Sequence, residues 1–167
     1  MNGYGVLPVP IRFYVEGDKE QVEAFRCSHY SPKWHTRPQK MIRRAPSLLE
    51  NSPYEILIAH DGPEVVGVAV FEFTEEPSCY VWTLGVKRER QNEGIGKSLK
   101  RAVMVVSADR YPGLSVESQV HRNNTYMRQI NSGLFAETEP LREDPDYLTT
   151  VVKAEVFPDN SDVTPSK

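Results

Sequence analysis

Cysteine is scarce in this chain: Cys27 and Cys79 are the only two in 167 residues. Two thiols cannot build a disulfide framework, so a reducing compartment fits and a small disulfide-stapled fold is excluded. Long apolar runs are missing too. No segment approaches the roughly 18 apolar residues of a membrane span, and no N-terminal stretch joins basic residues to a long apolar run. Nor is there an excess of positive charge, since the formal net charge is −3. That argues against general nucleic-acid binding. Cys27, His29 and His35 have no fourth ligand at a recognised zinc spacing, so no metal is expected. These absences lead to an expectation of a soluble, cytoplasmic protein with no nucleic-acid or membrane partner.

What is present suits an ordinary globular domain, with 39% hydrophobic and 26% charged residues. The length suggests one domain over residues 1–157, followed by a polar, disordered tail over 158–167. Ile11 to Val15 reads as a strand, and Glu16-Gly17-Asp18 as a turn into a helix that runs to about Tyr30. Ser31 to Pro53 is irregular, with four prolines around a helical piece near Gln39 to Arg44. Tyr54–Ala59 and Glu64–Phe73 form a hairpin around His60-Asp61-Gly62-Pro63. The second strand is apolar on both faces, with Val66, Val68 and Val70 on one side and Val65, Ala69, Phe71 and Phe73 on the other. Such a strand is central and covered above and below. Cys79 to Val86 is the next strand. Ile95, Leu99, Ala102, Val103 and Val106 then recur at helical spacing. Leu114–Val120, Asn124–Ser132, Leu134–Thr138 and Leu148–Phe157 follow as strand, helix and two closing strands. The implied fold class is α/β in the broad sense, an α+β mixed sheet with helices on both faces.

Between Val86 and the long helix lies Lys87-Arg-Glu-Arg-Gln91-Asn-Glu-Gly94-Ile-Gly96-Lys97-Ser98. Gly-Lys-Ser suggests a nucleotide-triphosphate loop, but Gly-x-x-x-x-Gly-Lys-Ser/Thr needs a glycine where Gln91 stands. A dinucleotide fingerprint fails as well, because Leu99 occupies the third glycine position. A strand followed by this turn and an amphipathic helix nevertheless presents free backbone amides and a favourable dipole to an anion. Glycines at 94 and 96 remove β-carbons that would keep a pyrophosphate away. Lys87, Arg88, Arg90 and Lys100 add positive charge nearby.

Val86-x4-Gln91-x-x-Gly94-x-Gly96 resembles the acetyl-CoA signature of the GNAT superfamily of N-acetyltransferases, and the element order from Ile11 to Phe157 matches that fold. The resemblance implies that the amides of Gln91, Asn92, Glu93, Gly94, Ile95 and Gly96, with Lys97 and Ser98 next in line, hold the CoA pyrophosphate. It implies that the backbone of Leu84, Gly85 and Val86 pairs with the pantetheine arm. A family asparagine that contacts pantetheine maps to Asn124 by its distance from the strand, or to Asn123 by its distance from Gly133. Many members carry a tyrosine about four residues before that glycine to protonate the departing thiolate. Gln129 stands there instead, and Tyr126 is the nearest phenol.

Acetyl transfer needs a neutral amine, so a group at the site must take up a proton. Glu72 ends an otherwise apolar strand face and is the first candidate. Tyr80, at the start of the strand leading to the loop, and His121, just past a strand end, are further candidates. Trp34, His35, Arg37, Arg43 and Arg44 lie in a region that borders the acceptor in the superfamily. The expected activity is transfer of an acetyl group from acetyl-CoA, without a metal, to a small-molecule or protein amine in a ternary complex. The same fold could instead bind acyl-CoA as a non-catalytic sensor. The acceptor and the oligomeric state, with a homodimer among the options, stay open.

Overall fold

The computed structural model describes residues 8–29, 54–74, 78–132, 136–140 and 147–153. The expectations for Ser31–Pro53, for Gly133 to Phe135 and for the tail fall outside these residues, as does the side chain of Cys27. In chain order the elements are β1 (Ile11–Phe13), α1 (Lys19–His29), β2 (Tyr54–Asp61), β3 (Glu64–Phe73), β4 (Ser78–Val86), α2 (Ile95–Arg110), β5 (Ser115–His121), α3 (Thr125–Asn131), β6 (Ala136–Pro140) and β7 (Tyr147–Lys153). They form a seven-stranded sheet in the order β1-β2-β3-β4-β5-β7-β6. Only β4 and β5 run parallel; every other neighbouring pair is antiparallel. A parallel pair requires a crossover, and α2 provides it.

Strand β1 ends two residues earlier than its apolar sequence suggests. Asp18 explains the stop: its carboxylate accepts the amide of Val15 at 2.9 Å and a two-pronged contact from Arg12 at 2.7 and 2.9 Å. The amide of Val15 is thereby withdrawn from the ladder, whereas Tyr14 still donates to the Ile56 carbonyl at 2.9 Å. The Arg12 guanidinium lowers the Asp18 pKa below the usual carboxylate range.

The sheet has a core on each face. On one, α2 presents Ile95, Leu99, Ala102, Val103 and Met104 to Leu57, Ala69, Phe71, Cys79, Val81, Val86 and Val116. On the other, Val22 of α1 packs with Ile56, Ile58, Val65, Val68 and Val70. The simple alternation expected for β3 breaks down at its start, where Val65 joins Val68 and Val70, and Val66 joins Ala69 and Phe71. The cause is a bulge, since Ala59 pairs with Gly67 but His60 pairs with Val65, leaving Val66 as an extra residue. A second bulge lies in β4, where Val70 pairs with Thr83 but Phe71 pairs with Val81, so Trp82 is extra.

Lys100 does not reach the loop as a phosphate-attracting cation. Its side chain points from α2 into the sheet and is 1% exposed. The ammonium donates to Ser118 Oγ at 3.0 Å, and desolvation lowers its pKa to about 7. The same burial raises the Cys79 thiol to about 11. Between about pH 7 and the ordinary lysine value of 10.5, the unfolded chain therefore binds more protons at Lys100 than the folded chain. Stability should rise with pH across that window and be lowest below it, where the buried amine is charged. Urea denaturation from pH 6 to 10 should show this rise. Lys100→Met should flatten it and stabilise the acidic end by on the order of a few kcal/mol.

Candidate functional site

Strands β4 and β5 pair only from Ser78–Ser115 to Val81–Ser118. Beyond that point β4 continues to Val86, paired on its other edge with β3, while β5 continues to His121. The strands part at the level of the extra residue Trp82. A bulge bends and twists its strand, so the sequence carries the opening in that single inserted position. The backbone of Thr83 to Val86 thus lines a cleft with one ladder edge open to it. An extended polyamide-like chain can add to such an edge.

At the far end of the cleft, the turn into α2 is held by its own side chains. The amide of Lys87 donates to the carbonyl of the bulged Val66 at 2.9 Å, and Gln91 Nε2 donates to the Val86 carbonyl at 3.2 Å. Lys87 pairs with Glu64. Arg90 pairs with Asp61 and Glu93, each at 2.9 Å. Two of the four cations suggested by the sequence are therefore engaged by carboxylates, a third is the buried Lys100, and Arg88 is exposed with no carboxylate partner among the described residues. Gln91, which the motif singles out, fastens the loop to the strand end.

The two motif glycines do different work. Gly94 has φ of +85°, a left-handed conformation, and no atom lies within 4 Å of where its Cβ would stand. Asn92 is also left-handed, with φ of 68°. Gly94 is the N-cap of α2 and supplies no side chain to the first turn, whose first intrahelical amide bond runs from Ser98 to Gly94 at 3.0 Å. The amides of Ile95, Gly96 and Lys97 precede it, so the helix start suits an anion. Ser98 is not directed at that space, because its hydroxyl returns to the Gly94 carbonyl at 3.1 Å. Gly96 is buried, and a Cβ there would stand 2.4 Å from Ile130 Cδ1 and 3.4 Å from the Tyr126 hydroxyl. Its missing side chain lets α3 close against α2.

A family model described as "Acetyltransferase (GNAT) family" matches residues 19–129, about two thirds of the chain. The chain belongs to the acetyltransferase (GNAT) family. Among solved structures, an acetyltransferase of the GNAT family from Staphylococcus aureus Mu50 superposes with a TM-score of 0.71 at 15% identity, covering 87% of this chain and 99% of that one. The ribosomal-protein-S18-alanine N-acetyltransferase of Escherichia coli gives 0.66 at 13% identity, over 90% and 96%. A Bacillus subtilis acetyltransferase solved in complex with CoA gives 0.62 at 17% identity, over 87% and 98%. No curated protein matches by sequence.

On the GNAT sheet Glu72 and Tyr80 fall on the face away from α2. Glu72 is in register with Tyr54 on one side and Tyr80 on the other, and Tyr80 is in turn in register with Glu117 of β5. All four are partly exposed. Glu72 accepts the indole N–H of Trp82 at 2.9 Å, so it is not a strand end running out into solvent. Sequence reasoning missed Glu117. The available signal was the alternation of Val116, Ser118 and Val120 facing inward, which turns Glu117 to the face shared with Glu72.

His121 is 8% exposed and is the last residue of β5 rather than a surface residue beyond it. Its Nδ1 accepts the amide of Asn123 at 3.2 Å, which places the proton of the neutral ring on Nε2. Asn124 caps α3 by accepting the Met127 amide at 3.1 Å, whereas Asn123 is exposed. Tyr126 is half-buried, and desolvation pushes its pKa up to about 12, so the phenol stays protonated at neutral pH. Among the described residues no helix is long and apolar enough to cross a membrane, and no group of three or more His, Cys, Asp or Glu could hold a metal.

The packing role of Gly96 is testable by urea denaturation. Gly96→Leu should cost about 1–3 kcal/mol, because a leucine cannot fit beside Ile130. Adding Ile130→Ala should recover part of that loss. A loss in Gly96→Leu that Ile130→Ala fails to reduce would contradict the contact.

Proposed function

We propose that the protein is an acetyl-CoA-dependent N-acetyltransferase working by direct transfer to a bound amine. The observation that carries this reading is the cleft between β4 and β5, open at one ladder edge and ending at the uncapped amides of α2. Acetyl-CoA supplies an acyl group already activated as a thioester. The open edge of Leu84, Gly85 and Val86 suits its pantetheine amides. Its pyrophosphate suits the turn from Gln91 to Gly96 and the amide of Lys97, with the open space at Gly94 allowing close approach. Asn124, already fixed as a cap, stands at the start of α3 beside this cleft, and it is our choice over Asn123 for the pantetheine contact.

Glu72 and Glu117 are the two carboxylates in the register row through Tyr80 among the described residues. Glu117 is one residue from Ser118, where β5 leaves β4, whereas Glu72 lies a strand further away and already accepts the Trp82 indole. We therefore assign to Glu117 the uptake of the proton released as the amine nitrogen bonds to the acyl carbon and the carbon–sulfur bond breaks. Tyr126 is assigned the return of a proton to the sulfur, a role that its protonated, half-buried phenol and its place over Gly96 support. Tyr80 lines the acceptor side. The departure from the family pattern at Gln129 leaves a sensor as the competing reading.

Two measurements test this proposal. Acetyl-CoA should raise the melting temperature of the wild type, and Gly94→Val should remove that rise, because the loop cannot hold φ of +85° with a β-branched side chain. An unchanged rise in Gly94→Val would place the pyrophosphate elsewhere. Glu117→Gln should lower kcat about a hundredfold while keeping the acetyl-CoA melting shift. A kcat within about threefold of wild type would remove Glu117 from the proton path, and a melting shift without turnover on any amine would favour the sensor.

A further inference from the structure

Around Glu72 the sheet carries three aromatic rings. Trp82 meets Tyr80 at 4.8 Å between centroids with a 67° interplanar angle, and Tyr54 at 6.2 Å with 86°. The indole N–H is directed at Glu72 Oε1. All four side chains are partly exposed on the face opposite α2. A carboxylate fixed among edge-to-face rings presents negative charge and π-faces together, an arrangement that attracts an ammonium group and repels an anion. Trp82 is the bulged residue of β4, so the insertion that parts the strands also turns this ring toward Glu72.

We propose that the acceptor is an aliphatic amine bearing a second, protonated nitrogen, and that Glu72 with Trp82, Tyr80 and Tyr54 holds this second cation. The assignment of the reacting nitrogen rests on the acetyltransferase reading above; the binding of the second nitrogen does not. Glu72 and Glu117 stand two strands apart in one register row, about 10 Å between backbones. With each nitrogen about 2.8 Å from its carboxylate, the two nitrogens stand between roughly 4 Å apart (both in line) and roughly 10 Å apart (both above), and a chain of roughly four or five carbons spans the middle of that range. Free diamines and closely spaced lysine side chains of a basic peptide share this chemistry. Arg37, Arg43 and Arg44, which lie in the region that borders the acceptor in the superfamily, fall outside the described residues and carry no part of this inference.

The test is calorimetric titration of the full chain, without acetyl-CoA, with 1,5-diaminopentane, 1-aminopentane and 5-aminopentanoate. The diamine should bind at least about tenfold more tightly than the monoamine, and the amino acid most weakly. Glu72→Gln should bring the diamine down to the affinity of the monoamine. Trp82→Phe, which keeps a ring but loses the indole N–H, should weaken the diamine by a smaller factor. Equal affinities across the three ligands in the wild type, or no saturable diamine binding, would overturn the inference without reference to any variant. Failure of acetyl-CoA to bind while the diamine preference persists would instead overturn the proposed activity. Thiol release with 1,5-diaminopentane against a Lys-Lys peptide then separates the free diamine from the peptide as the source of the cation.

Discussion

The structure depends on the parting of β4 from β5 after Val81 and Ser118. Two parallel strands that stayed paired along their length would close the sheet and leave no edge for a ligand. One extra residue in β4 prevents this, because β3 cannot match Trp82 and the strand must turn. The same residue bends the strand and supplies an aromatic ring beside Glu72. Backbone geometry and the proposed acceptor chemistry thus have a common origin in one insertion. On the α2 side of the opening, Lys100 reaches Ser118, the last β5 residue that pairs with β4. A buried amine there costs stability that an apolar side chain would not. Its proximity to the point of parting makes the core polar at that level.

The loop from Lys87 to Gly94 illustrates how a basic stretch can be structural. Its cations mostly face Glu64, Asp61 and Glu93, which tie the turn to the β2–β3 hairpin and to itself. These pairs are partly exposed, and each contributes little to stability. Their effect is to fix the direction in which α2 starts. The anion-binding capacity then resides in backbone amides, which carry no sequence signal beyond the glycine that leaves them uncovered.

Much of this was legible in the residues. The alternation of β3, the helical spacing from Ile95 to Val106 and the signature from Gln91 to Gly96 were enough to give the element order and the family. What stayed hidden has a physical reason in each case. Val65 and Val66 exchanged faces because a bulge resets a period-2 pattern without changing its composition. Lys100 looked like a surface cation because its charge conceals the buried stem. Gly96 has a packing role that its place in the signature does not announce, because its neighbour Ile130 lies 34 positions along the chain, beyond any local pattern. Glu117 was overlooked because its significance comes from the register of β4 against β5, which no single strand encodes.

The central claim is that the open edge of β4 and the first amides of α2 together receive acetyl-CoA. Backbone amide hydrogen exchange with and without acetyl-CoA tests it most directly. The account predicts slowed exchange for Ile95, Gly96 and Lys97 and for the amides along Thr83 to Val86, with little change along β1, β2 or α1. Protection absent from both segments, or confined to another edge of the sheet, would contradict it.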